Sequence, residues 1–274
     1  MRGSHETRRP EAEARKLAAG RVIKRIAGGA TLAAAVAEIE SDGGTAEFVV
    51  ADITDRAQVD AVFAGAAQAG GLRAVVHAAG VSPRMGSAEK IIEINAVGTI
   101  NVVEAALAVA DEGFAVVNVA SIAAVMVPGF MIPKRAFGYA RTDVDKLRQK
   151  LIAASNRTGK RAAPKQAYPI SKAFVVWYSA EMAAAFGASG ARILSVSPGS
   201  FDTEMGRLEE SGGSGQLTQF AALKRFGRPE EIAELLAFCA SSKPGYLTGV
   251  DILCDGGTKA GMGLKEMITL ARGA

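Results

Sequence analysis

Five apolar runs punctuate the chain, at residues 46–52 (AEFVVAD), 72–80 (LRAVVHAAG), 114–121 (FAVVNVAS), 191–199 (ARILSVSPG) and 249–257 (GVDILCDGG). Each is short, rich in β-branched residues and bounded by Gly, Asp or Ser, the pattern of a buried strand. Between them, residues 31–41, 57–69, 88–110, 168–186 and 228–241 repeat apolar positions at helical spacing. Strands apolar on both faces and joined by helices predict a parallel sheet covered on both sides. The expected architecture is therefore a single α/β domain with a doubly wound, Rossmann-like parallel sheet. Ligands of such sheets bind beyond the carboxyl ends of the strands, so chemistry is sought there.

Two regions break this rhythm. Residues 125–165 carry Pro128, Pro133 and Pro164 around a charged helical piece near 142–154, and residues 206–218 are rich in Gly and Ser. Long segments of this kind serve as lids, binding loops or contacts, or are plain solvated insertions. Both follow strand ends, which favours a role at the site. The opening MRGSH lacks the apolar core of a signal peptide, and residues 1–9 read as a leader outside the fold.

Composition narrows the function classes. Of 274 residues 49% are hydrophobic and 22% charged, enough for a core and too ordered in composition for a disordered chain. The net charge of +4 looks spread along the sequence, with one dense basic run at Arg8, Arg9, Arg15 and Lys16, so no nucleic-acid partner is expected. Cys239 and Cys254 lie in apolar stretches and read as core residues. With His5 and His77 the only histidines, neither a disulfide scaffold nor a metal site is expected. Residues 115–132 are apolar enough to raise a membrane span, but Asn118, Ser121 and the Pro128-Gly129 break point to a strand followed by a loop. A soluble, cytoplasmic, reduced protein is the expectation.

The sharpest chemical signal is YPISK, which places Tyr168 and Lys172 four apart on one helix face. An ammonium beside a phenol stabilises the phenolate and lowers a pKa that is ordinarily about 10, fitting the phenol for proton transfer. An isolated Tyr-x-x-x-Lys would more simply be a packed Tyr and a solvated Lys. Ser121, at the end of the strand AVVNVAS, projects toward the crevice and could hydrogen-bond a substrate carbonyl, or merely close the strand with a turn. Asn95 interrupts an apolar helix, where it could bend the helix and hold a water or be a satisfied core amide, with Asn101 as its rival.

These residues bring a family into view. HAAG (77–80), NAVGT (95–99), VNVAS (117–121), YPISK (168–172), SPGSFDT (197–203), RFGRPEEIAELLAFCAS (225–241) and YLTGVDILCDGG (246–257) resemble, in order, the motifs of the short-chain dehydrogenase/reductase family. The resemblance spans roughly residues 31 to 257. It implies an NAD- or NADP-dependent enzyme interconverting a secondary alcohol and a ketone, with a slight lean to NAD. Tyr168 would be the acid/base, Lys172 its pKa partner and the holder of the nicotinamide ribose. Ser121 would orient the substrate oxygen, and Asn95 would support a water-linked proton relay. Asp52 and Ile53 would contact adenine, Ala79 and Gly80 would line the cofactor, and Pro198, Gly199 and Thr203 would face the nicotinamide.

Two departures qualify the resemblance. The family's first strand and its Thr-Gly-x-x-x-Gly-x-Gly phosphate turn have no counterpart here; residues 10–20 could stand for the first helix and RVIKRI for the second strand. A degenerate or truncated member acting as a non-catalytic ligand-binding or scaffold protein is therefore the alternative. Ser121 and Tyr168 also stand 47 positions apart, far more than in most of the family. That resembles the 3α-hydroxysteroid dehydrogenase/carbonyl reductase members with an insertion here. A lid of this kind, with Met126, Phe130, Met131 and Phe137 beneath it, would favour a hydrophobic, alicyclic or steroid-like substrate. Helices 88–110 and 168–186, with Trp177 and Tyr178, could contact a partner subunit in a homo-dimer or homo-tetramer.

Overall fold

A computed structural model describes residues 22–23, 29–69, 72–209 and 217–263. The expectations for the leader, the first helix and the phosphate turn fall largely outside those residues. Strands β1 (Val22–Ile23), β2 (Phe48–Val49), β3 (Ala74–His77), β4 (Ala115–Val119), β5 (Arg192–Pro198) and β6 (Asp251–Cys254) are all parallel. β1 pairs with β2, and β3-β4-β5-β6 form a four-stranded sheet in that order.

Helices α1 (Gly29–Ser41), α2 (Arg56–Gln68), α3 (Ala88–Ile92) and α4 (Gly98–Ala108) alternate with the first strands. Then come α5 (Ala123–Met126), α6 (Lys134–Phe137), α7 (Val144–Ser155), α8 (Ala163–Glu181), α9 (Ala183–Gly187), α10 (Glu204–Glu209) and α11 (Pro229–Ala240). Several start where a side chain satisfies the free N–H groups of a first turn. Asp55 accepts from Ala57 N at 3.0 Å before α2, Ser87 from Lys90 N at 3.3 Å before α3, and Asp143 from Lys146 N at 2.8 Å before α7.

Alternation along the central strands separates two cores. Val116 and Ile193 join the larger one, with residues of α2, α3, α4, α7 and α8; Val117, Leu194 and Val196 meet α11 and its Cys239 on the opposite face. The register aligns His77, Asn118, Ser195 and Asp251 across the four strands. These four make a polar row through the sheet. Asn118 donates to Ser179 Oγ of α8 (2.9 Å), and Ser195 donates to Asp251 Oδ1 (2.6 Å).

Three expectations change. The run at 46–52 forms only a two-residue strand, and Phe48, Val49 and Val50 are 42%, 42% and 64% exposed rather than buried on both faces. Among the described residues no strand joins the two sheets, so neither these side chains nor Val76 at the outer edge of β3 gains full cover. The helix predicted over 88–110 is broken by a π-helical turn at Glu93–Val97. Its length and composition would suit a membrane span, yet 78% of the apolar window within Ala88–Ala108 is buried inside the protein. Finally, Phe137 and Phe130 do not share one underside. Phe137 is fully buried against Phe174 and Trp177 of α8, whereas Phe130 is 87% exposed. Tyr178 is buried as well, which makes these aromatics core.

Residues 125–165 pack through α7 against α3 and α8. Leu147, Leu151, Ala154 and Ser155 form the buried face of α7, while Arg148 reaches Glu93 at 2.6 Å and Arg141 reaches Glu181 at 3.2 Å. The outer side of α3 and α8 is thereby covered by the chain itself.

Candidate active site

α8 carries Tyr168 and Lys172 on one side. Its first turn admits Pro164, whose missing N–H would have no partner there, and the helix also accommodates Pro169. The Lys172 Nζ lies 6.0 Å from the centre of the Tyr168 ring and donates to the carbonyl of Val119, at the end of β4, at 2.9 Å. Two residues beyond that strand end, Ser121 receives the N–H of Ala123 at 3.2 Å, and its hydroxyl stands beside the Tyr168 phenol and favours the ionised form. Strand end and helix face thus bring Ser121, Tyr168 and Lys172 together.

The electrostatics differ from the expectation. The Tyr168 pKa is raised: burial dominates, the Ser121 hydrogen bond opposes it, and the charge of Glu209 adds to it. Lys172 contributes no resolved lowering, because its ammonium is itself destabilised by burial and its pKa falls to about 8. The neutral phenol is therefore the resting form at neutral pH.

Asn95 sits in the π turn and is fully buried. Its Oδ1 accepts from Val81 N at 2.9 Å, while its Nδ2 donates to Val81 O at 3.0 Å and Ser171 Oγ at 3.1 Å. Both amide hydrogens are thus committed, leaving one lone pair of Oδ1 for any relay. Ser171, which sequence reasoning passed over inside YPISK, donates in turn to the Tyr168 carbonyl at 2.8 Å and so ties Asn95 to the helix of Tyr168. A Cβ on Gly80 would lie 3.2 Å from Asn95 Oδ1 and 3.3 Å from Lys172 Nζ, so the absence of a side chain lets both close on this turn. The rival Asn101 instead donates to the Ile53 carbonyl at 2.9 Å, fastening the loop after β2 to α4.

Two further residues were missed. His77 contacts Thr99 Oγ1 at 3.1 Å, and Thr99 gives its own proton to the Asn95 carbonyl at 2.7 Å, so His77 must donate through Nε2. Burial, aided by the Lys172 charge, depresses its pKa to about 3 and keeps it neutral. The second is Glu209 at the end of α10. Its Oε1 accepts from Ser82 Oγ at 2.6 Å and from Arg84 N at 3.2 Å, latching α10 to the turn after β3. His77 was visible in HAAG, but nothing in the sequence linked Glu209 to Ser82, 127 residues away.

The residues expected at a cofactor fall as follows. Asp52 Oδ1 accepts from Thr54 N and Oγ1, and the Ile53 side chain is buried in the core, so Ile53 offers its backbone rather than its side chain. Ala79 and Gly80 follow β3 and are half-buried. Pro198 ends β5. Gly199 lies so close to Asp255 that a Cβ would stand 2.6 Å from its Cα, and Thr203 Oγ1 receives Gly206 N at 3.0 Å in the first turn of α10. All lie at or after the carboxyl ends of strands, Asp52 and Ile53 beyond β2 of the two-stranded sheet and the others beyond the four-stranded one. Among the described residues no three His, Cys, Asp or Glu gather as a metal site would require.

Comparisons with known proteins place this geometry. Residues 14–133 match the short chain dehydrogenase family, and residues 140–259 match the family described as enoyl-(acyl carrier protein) reductase. The chain is similar to the inactive 2-(S)-hydroxypropyl-CoM dehydrogenase 2 of Xanthobacter autotrophicus, at 30% identity over 249 residues, covering 85% of this chain and 92% of that protein. It is 29% identical over 236 residues to the D-threitol dehydrogenase of Mycolicibacterium smegmatis, covering 82% and 77%. Its fold resembles that of a short chain dehydrogenase from Burkholderia cenocepacia in complex with NADP, with a TM-score of 0.67, 22% identity and coverage of 87% and 86%.

Proposed function

The chain belongs to the short-chain dehydrogenase/reductase family, and from that membership we propose that it is an NAD(P)-dependent oxidoreductase interconverting a secondary alcohol and a ketone. One observation carries the reading: the Ser121 hydroxyl meets the Tyr168 phenol while Lys172 stands one helical turn along. A fold needs no such trio at a strand end.

When bound, the nicotinamide cofactor would supply or accept the hydride at the carbonyl carbon. In reduction, Ser121 holds the substrate oxygen and Tyr168, resting as a neutral phenol, gives it a proton. In oxidation the phenolate takes that proton, so this direction gains with rising pH. Lys172 would hold the ribose, and a chain of hydrogen bonds from Val81 through Asn95 and Ser171 to the Tyr168 carbonyl fixes the helix that carries Tyr168 and Lys172. The donors at Lys172 and the side-chain-free turn at Gly80 suit a sugar hydroxyl. NADP in the Burkholderia relative supports the cofactor class and leaves both NAD and NADP open.

The substrate we propose is a small, hydrophobic, alicyclic or steroid-like alcohol or ketone, with residues 125–165 acting as an insertion beside its site. Met126 and Met131 remain half-buried in that segment. A polyol is the second reading, supported by the carboxylate of Glu209 in the field of Tyr168 and by the D-threitol relative. We further propose a cytoplasmic homo-oligomer. Titration of NADH and NADPH, followed by fluorescence, tests the enzyme reading directly. Saturable binding of one is expected; no binding of either at about 1 mM would return the protein to a non-catalytic role.

A further inference from the structure

The basic charge is not spread evenly. Residues 125–165 hold ten of the 32 Lys and Arg but only two of the 28 Asp and Glu, a balance of +8 that leaves −4 for the rest of the chain. Spacing at helical intervals hides this concentration from a search for dense runs. The fold then sorts these cations. Arg141 and Arg148 pair with Glu181 and Glu93 on the side that packs on the body of the protein. Both carboxylates of the segment are occupied, Asp143 by capping Lys146 N and Asp145 by Arg148.

The same segment borders a cavity of about 500 Å³, walled by Phe130, Lys134, Arg135, Tyr139, Lys150 and Arg157 among others. No carboxylate contributes to this wall, and among the described residues none pairs with its four cations. Like charges gathered without a counter-charge repel one another, a cost that a bound anion reverses. Guanidinium groups match phosphate oxygens through paired hydrogen bonds, and ammonium groups add point charges. Phe130, 87% exposed at the same cavity, offers a bare aromatic face. The volume lies in the ordinary range for small-molecule sites.

We propose that this cavity binds a phosphate ester of several negative charges with a planar or apolar body, of the size of a nucleoside polyphosphate, at a site built from residues 129–157 alone. It does not rest on the oxidoreductase reading. The probes are ATP and inorganic pyrophosphate, added to the full chain and followed by calorimetry and by the fluorescence of Trp177. That residue is the chain's single tryptophan and packs 5.6 Å from Phe137 of α6. ATP is expected to bind one to one with a Kd below about 100 μM at low salt, weakening as salt screens the cations. The double variant Lys150→Glu/Arg157→Glu, both at exposed positions and with unchanged circular dichroism, should raise the Kd at least about tenfold. Phe130→Ala should weaken ATP but not pyrophosphate. Unchanged ATP affinity in the double variant, or no binding of either probe at about 1 mM, would overturn the proposal.

Discussion

Glu209 places a carboxylate in the field of the Tyr168 phenol while its Oε1 is held by Ser82 and Arg84. A negative charge there disfavours the phenolate. Glu209→Gln should keep the contact to Ser82 yet lower the Tyr168 pKa, moving the limb on which alcohol oxidation rises with pH to lower pH. An unmoved limb in a folded variant would detach Glu209 from the proton-transfer chemistry. His77 gives a second residue-scale prediction. Its folded pKa of about 3 lies below the ordinary 6.5, so between those values the unfolded chain binds a proton that the folded chain refuses. Stability should therefore fall as pH drops from 6.5 toward 3, and His77→Asn should flatten that slope in denaturant melts taken across the window. An identical slope in the variant would contradict the buried neutral imidazole. YPISK and VNVAS announced Tyr168, Lys172 and Ser121 because local spacing and a strand end suffice to place them. The Tyr168 pKa runs opposite to the expectation because burial, which a sequence does not display, dominates it.

At the scale of elements, the joint between α6 and α8 decides whether residues 125–165 hold their shape. Phe137 packs edge-on against Phe174 at 5.3 Å and tilts against Trp177 at 5.6 Å. Phe137→Ala should cost about 3–5 kcal/mol in denaturant unfolding and alter Trp177 emission. A loss below about 1 kcal/mol would mean that the segment is seated elsewhere. Apolar periodicity located most of the longer helices and the central strands, since each buries one face or both. It erred where long-range partners set the outcome. Phe48 and Val49 read as core but lie in a two-strand sheet apart from the other four strands. Phe137 read as lid but is core, because α8 supplies a packing partner. The π turn at Asn95 was foreshadowed only as an ill-placed polar residue, although its hydrogen bonds to Val81 and Ser171 fix the site.

For the whole molecule, α7 packs against α3 and α8, and a second candidate surface for a partner subunit lies elsewhere. Phe238, Tyr246, Val250 and Leu253 are 46%, 104%, 41% and 37% exposed around α11 and β6. Light scattering should find a dimer that Tyr246→Lys/Phe238→Glu converts to monomer; a wild-type monomer would contradict the proposed assembly. The central claim concerns the trio of Ser121, Tyr168 and Lys172, and Tyr168→Phe tests it most directly. Turnover with a secondary alcohol or ketone that the wild type accepts should fall by at least about 100-fold, while the Kd of NADH or NADPH stays within about twofold. Turnover retained within about tenfold of wild type would show that the proton moves through another group.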